Sequence, residues 1–477
     1  MNKLWNDGWK FVKLPTGSGY EDMKKAELRC VTLPHDWLIS QENDLYESGD
    51  GWYAKRLEEQ PQAGERMLLD FDGVYTDADV LLNGEVVKTH RYGYSPFFAE
   101  LTGKLKAGGN EIAVHIRHLS PNTRWYSGAG IFRDVRLITL PPRHMVPDGF
   151  HADTVIKDGV WTLCFSAELA GPGDGLPEYV LTDRNGAVAA KGKMSPAPDG
   201  AAAETAVKNA ETWSPDSPTL YRLELRLGEQ SKCINIGFRH AEFTADRGML
   251  LNGRPLKLHG VCLHHDLGAL GAAFYEKAAE RQLRVMKEMG VNAVRTSHNP
   301  PARQLLDLCD RMGLVVMDEI YDMWEKPKTA NDNARFFADN YPEDIAAWIR
   351  RDRCHPSVIL WSIGNEIYDM QASERGQMWT RTLMEEVQKH DSVHAPVTFA
   401  SNYMPWGGAQ KCADIVKMPG YNYAERYYAR HHEEHPDWII YGSETASLVA
   451  SRGIYHFPMS ESILTEEDLQ CSALMNS

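Results

Sequence analysis

The chain has 477 residues and a net charge of −15, from 51 basic and 66 acidic side chains. Such a length exceeds one ordinary hydrophobic core and points to about three domains. The acidic balance argues against nucleic acid or an anionic membrane as partner, because no basic excess offsets phosphate repulsion, and it fits a small neutral substrate.

Apolar content of 43% and charged content of 25% are those of a soluble globular protein. The 13 tryptophans fit large cores, and equally fit flat faces on which pyranoses stack. The eight cysteines are scattered with no C-x-x-C pair, so they read as reduced and mostly buried, not as a zinc, redox or disulfide framework. The N-terminus M-N-K-L-W-N-D-G-W-K-F has no apolar signal core, and no run reaches membrane-span length. The expected location is the cytoplasm, or the periplasm or exterior if a signal segment has been removed.

Residues 1–240 read as β structure. Short alternating runs such as R-M-L-L-D-F-D, A-D-V-L-L-N-G-E-V-V and N-E-I-A-V-H-I-R are divided by Gly, Asn, Asp and Pro. Asn83-Gly84 between two apolar runs predicts a tight hairpin. The shift at Pro141-Pro142 marks a boundary, after which G-V-W-T-L-C-F-S-A-E-L and L-Y-R-L-E-L-R-L continue as strands. Two sandwiches, at 1–141 and 142–241, are the simplest packing.

From 242 to 477 strand-like and helix-like runs alternate. L-K-L-H-G-V-C-L precedes a helix over 274–289, V-N-A-V-R-T-S-H one over 302–312, L-V-V-M-D-E-I one over 344–353, and V-I-L-W-S-I-G-N-E one over 374–389. V-T-F-A-S-N, A-D-I-V-K-M-P-G-Y-N-Y and W-I-I-Y-G-S-E complete seven β units. Repeated βα units with buried strands predict a (β/α)₈ barrel, whose chemistry sits at the C-terminal strand ends.

Two of those ends close on glutamate. Glu366 follows I-L-W-S-I-G-N, and Glu444 follows W-I-I-Y-G-S. Paired carboxylates across one barrel mouth suit glycoside hydrolysis: one protonates the departing oxygen and the other attacks the anomeric carbon, at a separation of about 5–5.5 Å in retaining enzymes. The plainer alternative is that such acids pair with Arg295 or cap helices. Asn365 beside Glu366 favours the first reading, because a side-chain amide can bond a sugar hydroxyl.

The motifs G-V-N-A-V-R-T-S-H-N-P-P-A (290–302), W-S-I-G-N-E (361–366) and Y-G-S-E-T-A-S (441–447) resemble glycoside hydrolase family 2, which includes β-galactosidases, β-glucuronidases and β-mannosidases. G-W-Y (51–53), D-F-D-G-V-Y-T-D-A-D-V-L-L-N-G (70–84) and R-W-Y-S-G-A-G-I-F-R (124–133) are similar to its N-terminal jelly roll, so the resemblance covers nearly the whole chain. It implies a jelly-roll sandwich, an immunoglobulin-like sandwich and a TIM-type barrel. It also implies Glu366 as general acid/base, Glu444 as nucleophile, Asn365 on the 2-hydroxyl, Arg295 keeping the nucleophile ionised, Tyr423 bonding it, and His298 on the sugar. His264, Asp266, Arg124 and Trp125 are implied as pocket residues.

Two departures qualify the resemblance. Some β-galactosidases of the family bind magnesium after the third strand. Here D-E-I-Y-D-M-W-E places Met323 and Glu325 at those positions, and a thioether is a poor ligand for a hard cation, so no catalytic metal or cofactor is expected. The end of the chain, T-E-E-D-L-Q-C-S-A-L-M-N-S, leaves no eighth strand of the family's kind, which predicts an open seam. The chain reads as C-terminally truncated, or as one that closes by forming a homo-oligomer.

Other motifs carry less. H-H-E-E-H (431–435) lacks the spacing of a zinc helix and reads as a solvated segment. G-P-G-D-G (171–175) precedes no helix that could cradle phosphate. Asp318 and Glu319 read as an ion pair beneath the site. The functional expectation is a retaining exo-β-glycosidase acting on terminal β-D-galactosides. The alternatives are a β-glucuronidase of the same family and an inactive carbohydrate-binding chain.

Overall fold

Alternation along Arg66–Phe71 turns Met67, Leu69 and Phe71 into one core while Leu68 packs on the opposite face with Ile138 and Leu140. The same logic builds the N-terminal sandwich seen in the computed structural model, in which residues 2–40, 44–372 and 374–445 are described. Its six-stranded sheet runs in the order Arg29–Val31, Trp9–Leu14, Gly49–Leu57, Asn110–His118, Ala78–Leu82, Glu85–His90. The facing sheet runs Asn2–Leu4, Val135–Leu140, Arg66–Phe71, Phe97–Glu100. Asn83 (φ 54°) and Gly84 (φ 87°) form the expected hairpin turn, both left-handed as a two-residue loop of this kind requires.

A second sandwich packs His144–Lys157, Val160–Ala170, Gly200–Val207 and Ser195–Ala197 against Val188–Lys193, Glu178–Thr182, Tyr221–Leu227 and Gln230–Ile236. Leu163, Phe165, Leu223 and Leu225 lie in its core.

The rest is a barrel of seven parallel strands: β1 (Gly260–Leu263), β2 (Ala293–Thr296), β3 (Val315–Glu319), β4 (Val358–Asn365), β5 (Val397–Ser401), β6 (Pro419–Asn422) and β7 (Tyr441–Glu444). Each pairs in parallel with the next, with register shifts between β3 and β4, β4 and β5, and β6 and β7. Met249 and Leu251, from a short antiparallel sheet before β1, join Ala293, Val315, Met317 and Leu360 in a common cluster and close the barrel floor. Among the described residues β7 and β1 share no ladder, yet the Cys262 thiol reaches the Ser443 carbonyl at 3.3 Å. The expected absence of an eighth strand concerns chain beyond Thr445 and lies outside the described residues, as do Ala446 and Ser447 of the third motif.

Helices α1 (Glu276–Glu288), α2 (Arg303–Met312) and α4 (Glu374–His390) fall where periodicity placed them. α3 (Ala334–Asp352) starts ten residues before the expected position 344, and it runs through Pro342, a residue that ordinarily breaks a helix interior. A-D-I-V-K-M-P-G-Y-N-Y is not one strand. Its first four residues end α5 (Gly407–Val416), and only Pro419–Asn422 are extended. Apolar runs this short fit either element, and the left-handed Lys417 (φ 59°) decides by stopping the helix. H-H-E-E-H is likewise not merely solvated. It closes α6 (Tyr428–Glu434), and His431 is buried with its ring bonded to the Tyr421 hydroxyl at 2.8 Å. No helix among the described residues is long and apolar enough to cross a membrane.

The sandwiches are tied to the barrel by buried polar contacts. Arg303 bridges Asp72 of the first sandwich (3.1 Å) and Asp148 of the second (2.9 Å). Ser95 donates to Asp344 on α3 at 2.9 Å, and Arg133 donates to the Pro300 carbonyl at 2.7 Å. These contacts place the loop carrying Arg124 and Trp125 over the C-terminal end of the barrel.

Candidate active site

Every residue of β4 is buried, so the strand delivers its last side chains into the mouth without freedom to tilt. Gly364 is required by close packing. A Cβ there would lie 2.7 Å from Ile367 Cγ1 and 3.1 Å from the Trp324 indole nitrogen, which itself bonds the Ile363 carbonyl. After Asn365 the chain turns sharply and Glu366 takes φ 46°. Tyr423, just past β6, takes φ 53°. A left-handed conformation is costly for both residue types and persists only where surrounding structure enforces it.

Glu444 ends β7 and is held from several sides. Arg295 on β2 donates to one carboxylate oxygen at 2.6 Å, and the Tyr423 hydroxyl donates to the other at 2.5 Å. His298 Nε2 lies 3.8 Å away. Burial alone would raise the carboxyl, but Arg295, His298 and the Tyr423 hydrogen bond outweigh it and bring Glu444 down to about 2. The same Arg295 lies against Glu319 at 2.9 Å, and Glu319 also takes His298 at 2.6 Å and Ser362 at 2.7 Å. Glu319 is thus the ion-pair partner beneath the site that its position suggested. Asp318 turns the other way, into a wholly buried setting beside Asp352, where burial pushes its carboxyl well up.

Glu366 has different neighbours. Asn422 donates to one oxygen at 3.2 Å, and Arg124, reaching in from the first sandwich, donates to the other at 3.3 Å. Asn365 joins the two acids: its carbonyl accepts from Arg295 (2.8 Å) and Asn422 (3.0 Å), and its amide donates to Asp322 (2.9 Å). Ser443, one residue before Glu444, fixes the Asn422 carbonyl at 2.6 Å.

The remaining wall is aromatic. The Trp125 ring lies 5.0 Å from His264 and 5.5 Å from His298, and those two imidazoles meet edge to face at 5.3 Å. Asp266 is not drawn to the acids by any described contact; its carboxylate accepts the Gly268 amide at 3.1 Å within its own loop. Glu325 is engaged by Arg375 at 2.5 Å. Among the described residues a trio with metal-ligand chemistry, Asp307, Asp310 and His355, lies at the opposite end of the barrel. There His355 already pairs with Asp310 at 2.6 Å.

The structure therefore gathers Glu366, Glu444, Asn365, Arg295, His298, Tyr423, His264, Arg124 and Trp125 into one mouth and leaves Asp266 at its margin. Sequence reasoning missed Asn422, Asp322 and Lys328 as site residues. Asn422 adjoins Tyr423 on a polar strand tip, and that placement was the available signal. Asp322 and Lys328 follow β3 in a loop with no periodic pattern to mark them.

Comparison with known proteins agrees with this architecture. Profiles described as "Glycosyl hydrolases family 2, sugar binding domain", "Glycosyl hydrolases family 2" and "Glycosyl hydrolases family 2, TIM barrel domain" match residues 18–141, 149–239 and 244–457. The chain is 33% identical over 516 aligned positions to a β-galactosidase of Bacteroides ovatus, covering 95% of this chain and 60% of that protein. It is 28% identical to a β-glucuronidase of Bacteroides fragilis, covering 84% of this chain and 61% of that one. A crystal structure of a glycosyl hydrolase family 2 member from Bacteroides cellulosilyticus superposes with a TM-score of 0.86 at 32% identity, over 94% of this chain and 62% of that chain. The chain thus spans about 60% of the length of these curated relatives. Three matching profiles, in order and over most of its length, together with the paired acids at the barrel mouth, place the chain in glycoside hydrolase family 2.

Proposed function

We propose that the chain is a retaining exo-β-glycosidase that removes terminal β-D-galactosyl residues by double displacement. The observation that carries this reading is the unequal setting of two carboxylates in one mouth. Glu444, ionised down to about pH 2, is a nucleophile at any physiological pH. In the first step its oxygen forms a bond to the anomeric carbon while the glycosidic C–O bond breaks. The departing oxygen takes the proton of the Glu366 carboxyl, leaving a glycosyl ester on Glu444 and a carboxylate at Glu366. In the second step Glu366 takes a proton from water, the hydroxide attacks the anomeric carbon, and the ester bond to Glu444 breaks.

Arg295 and Tyr423 hold the nucleophile charged and aimed. One Nδ2 hydrogen of Asn365 bonds Asp322, and its other N–H is the donor suited to the sugar 2-hydroxyl. The galactoside assignment draws on W-S-I-G-N-E-I-Y-D, on H-H-D-L-G-A-L-G, and on the Bacteroides ovatus relative. The Bacteroides fragilis relative favours glucuronides as the second reading.

Hydrolysis of p-nitrophenyl β-galactoside and β-glucuronide by the 477-residue protein, beside Glu444→Gln, tests both. Turnover of the galactoside, abolished in the variant, is the expected result. Turnover of the glucuronide alone would reassign the sugar, and binding of sugar without turnover would make the chain a carbohydrate-binding protein.

A further inference from the structure

Asp322, three residues past β3, is 1% exposed at its side chain and gathers polar groups from three segments. Arg124 Nη2 of the first sandwich donates to it at 2.8 Å, Lys328 Nζ at 2.7 Å, and the Asn365 amide at 2.9 Å. Lys328 also donates to the Asn365 backbone carbonyl at 2.8 Å, so one lysine clamps both the strand end and the aspartate. Burial opposes the charge on Asp322, but Lys328, His298 and Arg124 outweigh it and bring the carboxyl to about 2. Asp322 lies within the D-E-I-Y-D-M-W-E stretch, and the proposed mechanism gives it no part beyond its bond to the Asn365 amide.

Arg124 makes its shorter contact with Asp322, at 2.8 Å, and its longer one with Glu366, at 3.3 Å. A guanidinium beside a proton donor has two opposite effects. Closed tightly on the carboxylate, it keeps the proton off. Held at a fixed distance, it stabilises the carboxylate that forms as the proton leaves, and that charge exists only once transfer is under way. Asp322 decides between these by anchoring the guanidinium. It simultaneously orients the Asn365 amide next to the same acid.

We propose that Asp322 is a positioning residue for proton transfer by Glu366, holding the first sandwich's Arg124 at its working distance and the Asn365 amide in place. The proposal rests on the glycosidase reading above.

The test compares two aryl glycosides of the sugar the wild type accepts. A phenyl glycoside needs its departing oxygen protonated, and a 2,4-dinitrophenyl glycoside does not. Asp322→Asn should lower kcat/KM on the phenyl substrate about a hundredfold, the scale of a small misplacement at a reacting centre. The loss on the dinitrophenyl substrate should be no more than about tenfold, because Asn365 alone is then felt. Combined with Arg124→Gln, the loss should be far less than the product of the two single losses, since both changes break one chain of contacts.

Equal losses on the two substrates, or losses that multiply, would overturn the proposal while leaving the glycosidase reading intact. A wild type inactive on every glycoside would overturn both. If Asp322→Asn does not fold, Asp322→Glu keeps the charge and moves it by one methylene. The same split between substrates is expected from it, and its absence counts against the proposal. Glu444→Gln is the control: it should abolish both substrates alike.

Discussion

The two acids stand in one mouth but are supported by different parts of the molecule. Glu444 is held by Arg295, Tyr423 and His298, all from the barrel, and the Glu319 that steadies Arg295 is also a barrel residue. Glu366 leans on Arg124 from the first sandwich, which is itself held by Asp322 and, through it, Lys328. The charge of Glu444 is thus a property of the barrel alone. The surroundings of Glu366 depend on how two domains dock. The corner with the lower tolerance for error, where a buried anion must be compensated, is the one built within a single domain.

The sharpest break of this comparison is Glu444→Gln, which should cut kcat by about 10⁴-fold or more on every substrate, because no other group can form the ester bond. Glu366→Gln should cost about 10²–10⁴-fold on a phenyl glycoside, and far less for the first step on a dinitrophenyl one. Equal losses would mean that Glu366 is not the proton donor. Tyr423→Phe removes one hydrogen bond to a charged group, worth about 1.5–3 kcal/mol, so kcat should fall roughly ten- to a hundredfold. Because that bond favours the ionised form, its loss should move the acid limb of the rate profile upward from about pH 2. A limb that stays put would detach Tyr423 from the nucleophile.

The smallest effect tests the docking itself. Asp344 on α3 accepts from Ser95 of the first sandwich and from Tyr321 at 3.2 Å, and burial raises its carboxyl from 3.8 to about 7 against both contacts. Its folded value is raised, so the folded state binds a proton that the unfolded state has lost. Wild-type stability should therefore fall as pH rises from about 4 to about 7 and level off above. Asp344→Asn should lack that decline and be the more stable protein at pH 8, by about 1–3 kcal/mol once buried hydrogen bonding is discounted. Denaturant titrations at pH 5 and pH 8 check this, and equal stability differences at the two pH values would refute it.

Much of the site was legible in the chain. Seven apolar runs ending in polar tips predict seven strands with their chemistry at one end, and strand periodicity carries that signal directly. Glu366 and Glu444 stand out because each interrupts an apolar run just where a strand emerges. Arg295 and Tyr423 lie on similar tips. The failures were local ambiguities or long-range events. A-D-I-V is helix rather than strand because a left-handed Lys417 stops α5, and four residues, three of them apolar, cannot reveal that. His431 is buried because Tyr421 offers it a partner from a strand whose packing the sequence does not display.

The amino-acid sequence by itself pointed to the order of the domains, to the barrel's repeating units and to Glu366 and Glu444 as the candidate acids. Each follows from short-range pattern: hydrophobic period, turn chemistry, and a charged side chain at the end of a buried run. Only the tertiary structure decided which charges face which acid. Arg295 meets Glu444 and Arg124 meets Glu366 across 149 and 242 residues of chain. Such contacts depend on the docking of whole elements, and the strength of an ion pair depends on the water that docking removes. Asp322 is the clearest instance: it lies in a patternless loop, and its role became visible only when three distant segments converged on it.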